Sequence, residues 1–243
     1  MYSYNATSVL VLGVKPSDNG NQTAYTIITN SGGFRTRSFD VPIDAWATRW
    51  FGTVAGREYF ADPGGNVNDP NEDFNLPAQT VFGFNGSSSR YLSVRMRMPM
   101  NGITINNSFY VVQSQGIGST QSNVGIINPA TQQLEYVFPG YRNMLHDIAY
   151  LPQSQTIFLS ERGNAKLLAV NLATRTIVSE TDTDASPRTL ATAGNCIAVS
   201  AESTKAIHVF DMANPANPKD YGKVTVDLPE TEFMRLSKIV VDQ

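Results

Sequence analysis

Asp44, Asn101, His146 and Arg188 each stand two positions before Trp46, Ile103, Ile148 and Leu190, residues that fall within short apolar segments. Met234 holds the same place before Leu236, and Asp147 and Arg235 stand one position later in their own segments. A carboxylate, an amide, an imidazole and a guanidinium drawn to one ring would offer polar groups to an anionic or sugar-like ligand. Glycoside hydrolysis would need a pair of carboxylates with a supporting acid. Only Asp44 and Asp147 qualify, and no third acid occupies a matching position. The same groups could instead pair internally, His146 with Asp147 and Arg188 with a carboxylate.

Nucleophilic and metal chemistry fit less well. His146 and His208 are the only histidines, His208 falls inside an alternating segment, and no G-x-S-x-G elbow presents a serine. The single Cys196 excludes an internal disulfide and any multi-cysteine zinc site, and in NCIAVS it reads as a buried small hydrophobe. Asp62, Asn66, Asn68 and Asp69, followed by Glu72 and Asp73, supply oxygen ligands of the kind Ca²⁺ prefers. Their spacing does not match an EF-hand loop, so this insertion reads first as a solvated loop and only weakly as a calcium site. GIGS at 116–119 lacks the third glycine and the following helix of a dinucleotide fingerprint, and no cofactor is expected.

The elements that must position the ring are announced by a second column of residues. Asn30, Asn85, Asn128, Asn171 and Asp211 each end an apolar run and open a turn of small polar residues. Their side chains can accept hydrogen bonds from backbone N–H groups just ahead and so fix the turn between two strands. The last two intervals, 43 and 40 residues, are typical of repeats that each contribute one small sheet. In the clearest unit the strands are His146 to Tyr150, TIFLS with the alternation of a half-buried strand, KLLAVN and RTIVSE. The next unit repeats them as RTLAT, CIAVS, AIHVFD and, after a longer Pro-containing loop, KVTVDL, with an offset of 40 from Ser160 to Ser200 and from Leu167 to Ile207.

The first unit offers only SVLVLGV, AYTIITN and FRTRSFDV, while the chain ends in an unpaired strand-like MRLSKIVV. The expected architecture is therefore all-β: one five-bladed β-propeller of four-stranded antiparallel blades, closed by the C-terminal strand completing the N-terminal blade. The blades fall at 1–43 plus 231–243, 44–99, 100–141, 142–184 and 185–230. A β-sandwich is the runner-up.

SERGNAKLLAVNLATRTIV followed by SPRTLATAGNCIAVSAESTKAIHVFD resembles the YVTN family of β-propeller repeats, related in architecture to WD40 and surface-layer-type propellers. The similarity is good over 145–211, fair back to 103 and architectural before that. It implies a propeller but no single function, because such propellers serve as enzymes, lectins and scaffolds.

Net charge is −3 with Lys and Arg scattered, so neither nucleic acid nor an acidic membrane surface is an expected partner. No run approaches a membrane span, and the first residues lack the charged region and cleavage site of a secretory signal. With no persuasive catalytic set, the expectation is a non-enzymatic structural or interaction propeller that contacts other proteins in a larger assembly. Abundant Asn, Ser, Thr and Gln, few Lys and divergent loops point to a phage virion component of tail or capsid surface. Arg95, Met96, Arg97, Met98 and Met100 in RMRMPM are contact candidates, although alternate residues there must pack between blades. The alternatives are a carbohydrate-binding propeller or diverged glycosidase working through Asp44, His146 and Arg188, and a cytoplasmic WD40-like adaptor. The matching locations are the virion, the cytoplasm, or export without a visible signal peptide.

Overall fold

In the computed structural model the described residues are 2–5, 8–17, 20–30, 34–40, 49–54, 57–62, 80–84, 90–96, 99–114 and 121–225, with side chains described at 94, 96, 99–113 and 121–225. They hold five four-stranded sheets, each made of strands consecutive in the chain. The first sheet contains β1 (Tyr2–Asn5), β2 (Ser8–Ser17), β3 (Gly20–Asn30) and β4 (Phe34–Asp40), and the second β5 (Arg49–Val54), β6 (Arg57–Asp62), β7 (Thr80–Phe84) and β8 (Arg90–Arg95). The third holds β9 (Pro99–Ile105), β10 (Ser108–Ser114), β11 (Ser122–Asn128) and β12 (Gln133–Tyr136). The fourth holds β13 (Leu145–Leu151), β14 (Thr156–Glu161), β15 (Lys166–Asn171) and β16 (Thr176–Asp182). The fifth holds β17 (Pro187–Ala193), β18 (Cys196–Ala201), β19 (Ala206–Asp211) and β20 (Lys219–Thr225).

The chain divides into two compact units, Met1–Ile117 with Ile126–Glu135, and Gly118–Gly125 with Tyr136–Gln243. The fourth and fifth sheets belong to the second unit, and their register shows the repeat directly. Thr156 faces Asn171 in the fourth sheet, and Cys196 faces Asp211 in the fifth, each 40 positions on. A bulge falls between Ala169 and Val170 against β16, and the equivalent bulge falls between Val209 and Phe210 against β20.

The asparagine column does what its chemistry allows. Asn171 Oδ1 accepts the N–H groups of Ala173 and Thr174, both at 3.0 Å, and Asn128 and Asp211 accept those of Ala130 and Ala213, both at 2.9 Å. The turns after Asn128 and Asn171 close with the N–H of Gln132 or Arg175 donating back to the column residue's carbonyl, each donor in the left-handed region at φ 57° and 56°. After Asp211 the fourth residue is Pro215, which has no N–H and cannot take that conformation. The turn opens instead into a longer loop, held by Asn214 Oδ1 accepting from Ala216 N.

Burial falls from the inner strands outward. Every residue of β14 is buried, β16 is intermediate or exposed, and all of β20 is exposed. TIFLS is thus covered on both faces rather than half-buried, the pattern of a strand enclosed between layers. Ala149, Leu151, Phe158, Leu167 and Ala169 of the fourth sheet pack with Ile197, Val199, Phe210 and Met212 of the fifth. Phe158 and Phe210 are fully enclosed, each stabilising by about 1.5–3 kcal/mol relative to exposure.

Three further expectations differ from the structure. Residues 2–5 supply the fourth strand of the first sheet, Tyr2 facing Leu10, in the place given to the C-terminal segment, whose residues 226–243 lie outside those described. MYSYN is short and polar enough to read as a leader to β2, and pairing rather than pattern makes it a strand. Cys196, at the start of β18, is free and half-buried, because the strand end beside a turn is only partly covered. Met96 is 2% exposed, so its side chain fills the interior and is not a surface contact. Met100 is intermediate, and the side chains of Arg95, Arg97 and Met98 lie outside the described residues.

Candidate functional site

The first strands of four sheets carry a bulge near their starts, and the bulge decides which side chain each presents there. On β13 Leu145 faces Glu161 and Asp147 faces Ser160, leaving His146 as the extra residue. On β17 Pro187 faces Ala201 and Leu190 faces Val199, so Arg188 and Thr189 share the bulge. On β9 of the first unit it covers Met100 and Asn101, and on β5 it falls at Phe51. His146 and Arg188 are therefore register equivalents, and the matching place on β9 is Met100; Asn101 stands one residue later, level with Asp147 and Thr189. Asp44, Met234 and Arg235 lie outside the described residues, as do Asn66, Asn68 and Asp69, while Asp62 ends β6 with only its backbone described.

A serine fills each bulge in the second unit. Ser160 Oγ accepts from Asp147 N at 3.0 Å and donates to the Arg188 carbonyl at 2.8 Å, and Ser200 Oγ accepts from Thr189 N at 3.0 Å. Asp147 is held by backbone on both oxygens, accepting from Ile148 N at 2.9 Å and from Leu190 N at 2.8 Å in the next sheet. His146 Nδ1 lies 3.2 Å from the Arg188 carbonyl. Since a carbonyl only accepts, that contact places the proton on Nδ1.

Around this backbone frame the turns at the same end contribute charge. The turn from β14 to β15 is a single 3₁₀ turn, Arg162–Asn164, closed by Ala165 in the left-handed region at φ 51°. The equivalent turn after β18 begins at Glu202 and ends at Lys205, φ 50°. Arg162 and Glu202 occupy the same corner of successive repeats, and Arg162 Nη2 donates to Glu202 Oε2 at 3.0 Å. Arg188 Nη1 lies 3.0 Å from Glu202 Oε1. One carboxylate therefore sits between two guanidiniums from three different segments.

Glu161, one residue earlier, is fully buried and bound differently. Arg142 Nε and Nη2 donate to its two oxygens at 3.0 and 2.9 Å, and Asn143 N adds a third bond at 2.9 Å. Burial pulls the Arg142 guanidinium down, but Glu161 and Glu180 outweigh it and hold it above its ordinary value. This pair is saturated and structural. His208, the other histidine, lies on β19 with Nε2 2.9 Å from Asp220 Oδ1 and its ring 4.2 Å from that of Phe210. Among the described residues, no group of three or more His, Cys, Asp or Glu side chains is placed to hold a metal ion.

Sequence reading singled out His146, Asp147 and Arg188, which the structure brings together. It missed Arg162 and Glu202. The signal available was their separation of 40, which puts opposite charges at one corner of neighbouring repeats.

No model of a known protein family matches the chain, and no curated protein sequence matches it. Many solved structures share its fold. The periplasmic gluconolactonase of Pseudomonas aeruginosa is similar with a TM-score of 0.65 at 13% identity, over 93% of this chain and 70% of that one. A putative 6-phosphogluconolactonase from Bacteroides fragilis gives 0.62 at 11% identity, over 94% and 70%. The Cps50 (Swd1) β-propeller domain of Myceliophteria thermophila gives 0.60 at 13%, over 91% and 72%. The chain thus has a β-propeller-type fold.

These neighbours correct the expectation of a non-enzymatic phage virion propeller. Chains similar over more than nine-tenths of this one are named as lactonases, so the shared fold is one that hosts enzymes. The want of a local catalytic motif in the sequence is not the want of a site. In this fold polar groups converge from separate sheets, as Arg162, Arg188 and Glu202 do, and no contiguous motif records them.

Proposed function

We propose that the chain binds a carbohydrate-derived small molecule, with sugar lactones as the substrate class, at the end of the second unit where β13 and β17 begin. The observation that carries this reading is the convergence there of His146, Arg162, Arg188 and Glu202 from two strands and two turns. Lactone opening needs water delivered to a carbonyl and donors for the oxygen that becomes negative, a role guanidiniums fill well in a partly enclosed site. The names of two neighbours, gluconolactonase and 6-phosphogluconolactonase, support this chemistry as an analogy of fold. Asp147 is unsuited to act as a glycosidase acid, since backbone amides hold both of its oxygens.

The purified protein is expected to release acid from D-glucono-1,5-lactone faster than buffer, in a pH-stat at pH 6.5 to limit spontaneous opening, and Arg188→Ala is expected to lower that rate at least ten-fold. No rate above buffer, together with no calorimetric binding of the lactone or of gluconate, would defeat the reading.

The five sheets are read as blades of one YVTN-like ring, supported by the shared bulges and the 40-residue register of the last two. A closed ring of this length has a radius of gyration of about 18 Å in solution X-ray scattering. A clearly larger value would mean an open array.

A further inference from the structure

The corner shared by Arg162, Arg188 and Glu202 has chemistry beyond pairing. The saturated pair nearby sets the contrast: Arg142 gives Glu161 a two-pronged fork, and Glu161 has no exposure. At the corner, each guanidinium gives Glu202 one nitrogen and one contact. Two cations share one anion, so the trio carries one net positive charge. Among the described residues no other carboxylate lies within ion-pair distance of either arginine. Arg162 Nε is enclosed and has no acceptor, an arrangement that an incoming anion with a small side-chain rotation would relieve. The side chains remain 28%, 20% and 18% exposed, which leaves the corner open to solvent.

Other charges described at this end are engaged. Arg142 takes Glu161 and Glu180, Lys166 takes Asp182, Lys223 takes Asp184, and backbone amides hold Asp147.

We propose that Arg162 and Arg188, spaced by Glu202, form a clamp for an oxyanion, the carboxylate or phosphate of an acidic sugar. This rests on the carbohydrate reading above and narrows it to anionic ligands. A carboxylate or phosphate presents several acceptor oxygens to the unused N–H groups of two guanidiniums, where a neutral hydroxyl presents one weaker acceptor. Glu202 holds the arginines in place and competes with the ligand.

The test is isothermal titration at low ionic strength with glucose, gluconate, glucose 6-phosphate and inorganic phosphate, on the wild type, Arg162→Gln, Arg162→Lys and Glu202→Gln, each checked by thermal melting. Gluconate or glucose 6-phosphate is expected to bind at least ten-fold tighter than glucose, and the stronger of the two identifies the anionic group. Arg162→Gln is expected to remove that preference, Arg162→Lys to restore it in part, and Glu202→Gln to keep or strengthen it. If glucose binds as well as the acids, or Arg162→Gln leaves the preference intact in a folded protein, the clamp is wrong while the carbohydrate reading stands. If phosphate binds through Arg162 and no sugar improves on it, the clamp stands and the carbohydrate reading falls. Binding of none of the four probes overturns the clamp.

Discussion

The fourth and fifth sheets share a frame and differ in what they place at its end. Both bulge their first strand, both fill the bulge with a serine, and both turn from second to third strand through a left-handed residue 40 positions apart. Where the fourth sheet has Glu161, buried under the Arg142 fork, the fifth has Ala201 at 1% exposure. Where the fourth has Arg162, the fifth has Glu202. Backbone geometry is the conserved quantity between the two repeats, and end-of-strand chemistry varies freely upon it.

The largest effect that would probe this difference is at Arg142. Arg142→Ala strands the Glu161 carboxylate in the interior, and the cost expected in denaturant unfolding is about 3–5 kcal/mol. Adding Glu161→Ala gives the fourth sheet the fifth sheet's alanine and is expected to recover more than half of the loss. A double variant as unstable as the single one would show that the two sheets differ in packing and not only in charge.

Ser160→Ala comes next. It removes the acceptor for Asp147 N and the donor to Arg188 O, at a cost of about 1–3 kcal/mol. Ser200→Ala should cost similarly, because it strands Thr189 N and the Thr189 hydroxyl 2.7 Å away. If only one serine matters, the shared bulge is not a shared support.

Gly163→Ala is smaller. A Cβ there would collide with the side chain of Asn143, which must swing away from Asn164 Oδ1. Loss of about 0.5–1.5 kcal/mol is expected from that hydrogen bond, read as a lowered melting temperature.

The smallest contrast is with pH. The Ala213 N–H, then the Tyr221 hydroxyl, hold the Asp211 carboxyl below its ordinary value. A depressed carboxyl contributes stability that is present above its unfolded value near 4 and is lost as pH falls through the folded one. Asp211→Asn should therefore flatten the acid dependence of stability below pH 4, while Asn171→Asp should add to it. Identical acid profiles for wild type and Asp211→Asn would remove this distinction between the turns.

Strand positions were legible because they depend on local pattern. KLLAVN and AIHVFD were bounded to the residue, since an apolar run ending in Asn or Asp before small polar residues admits few other readings. The clustering of His146, Asp147 and Arg188 was legible because one register argument covers them all. Glu161 was not, since a charged residue closing an apolar strand looks solvent-facing until a partner 19 positions away appears. Tyr2–Asn5 escaped because four polar-aromatic residues have no period to read.

Asp147 reaches from β13 to the amide of Leu190, a group that belongs to the next sheet's own backbone. In hydrogen-exchange terms, the Leu190 proton is shielded by a neighbour's side chain, so its exchange rate records parting of adjacent sheets rather than fraying of its own strand. Comparing it with the Val199 amide, inside the same sheet, would time the separation of two repeats against the melting of one.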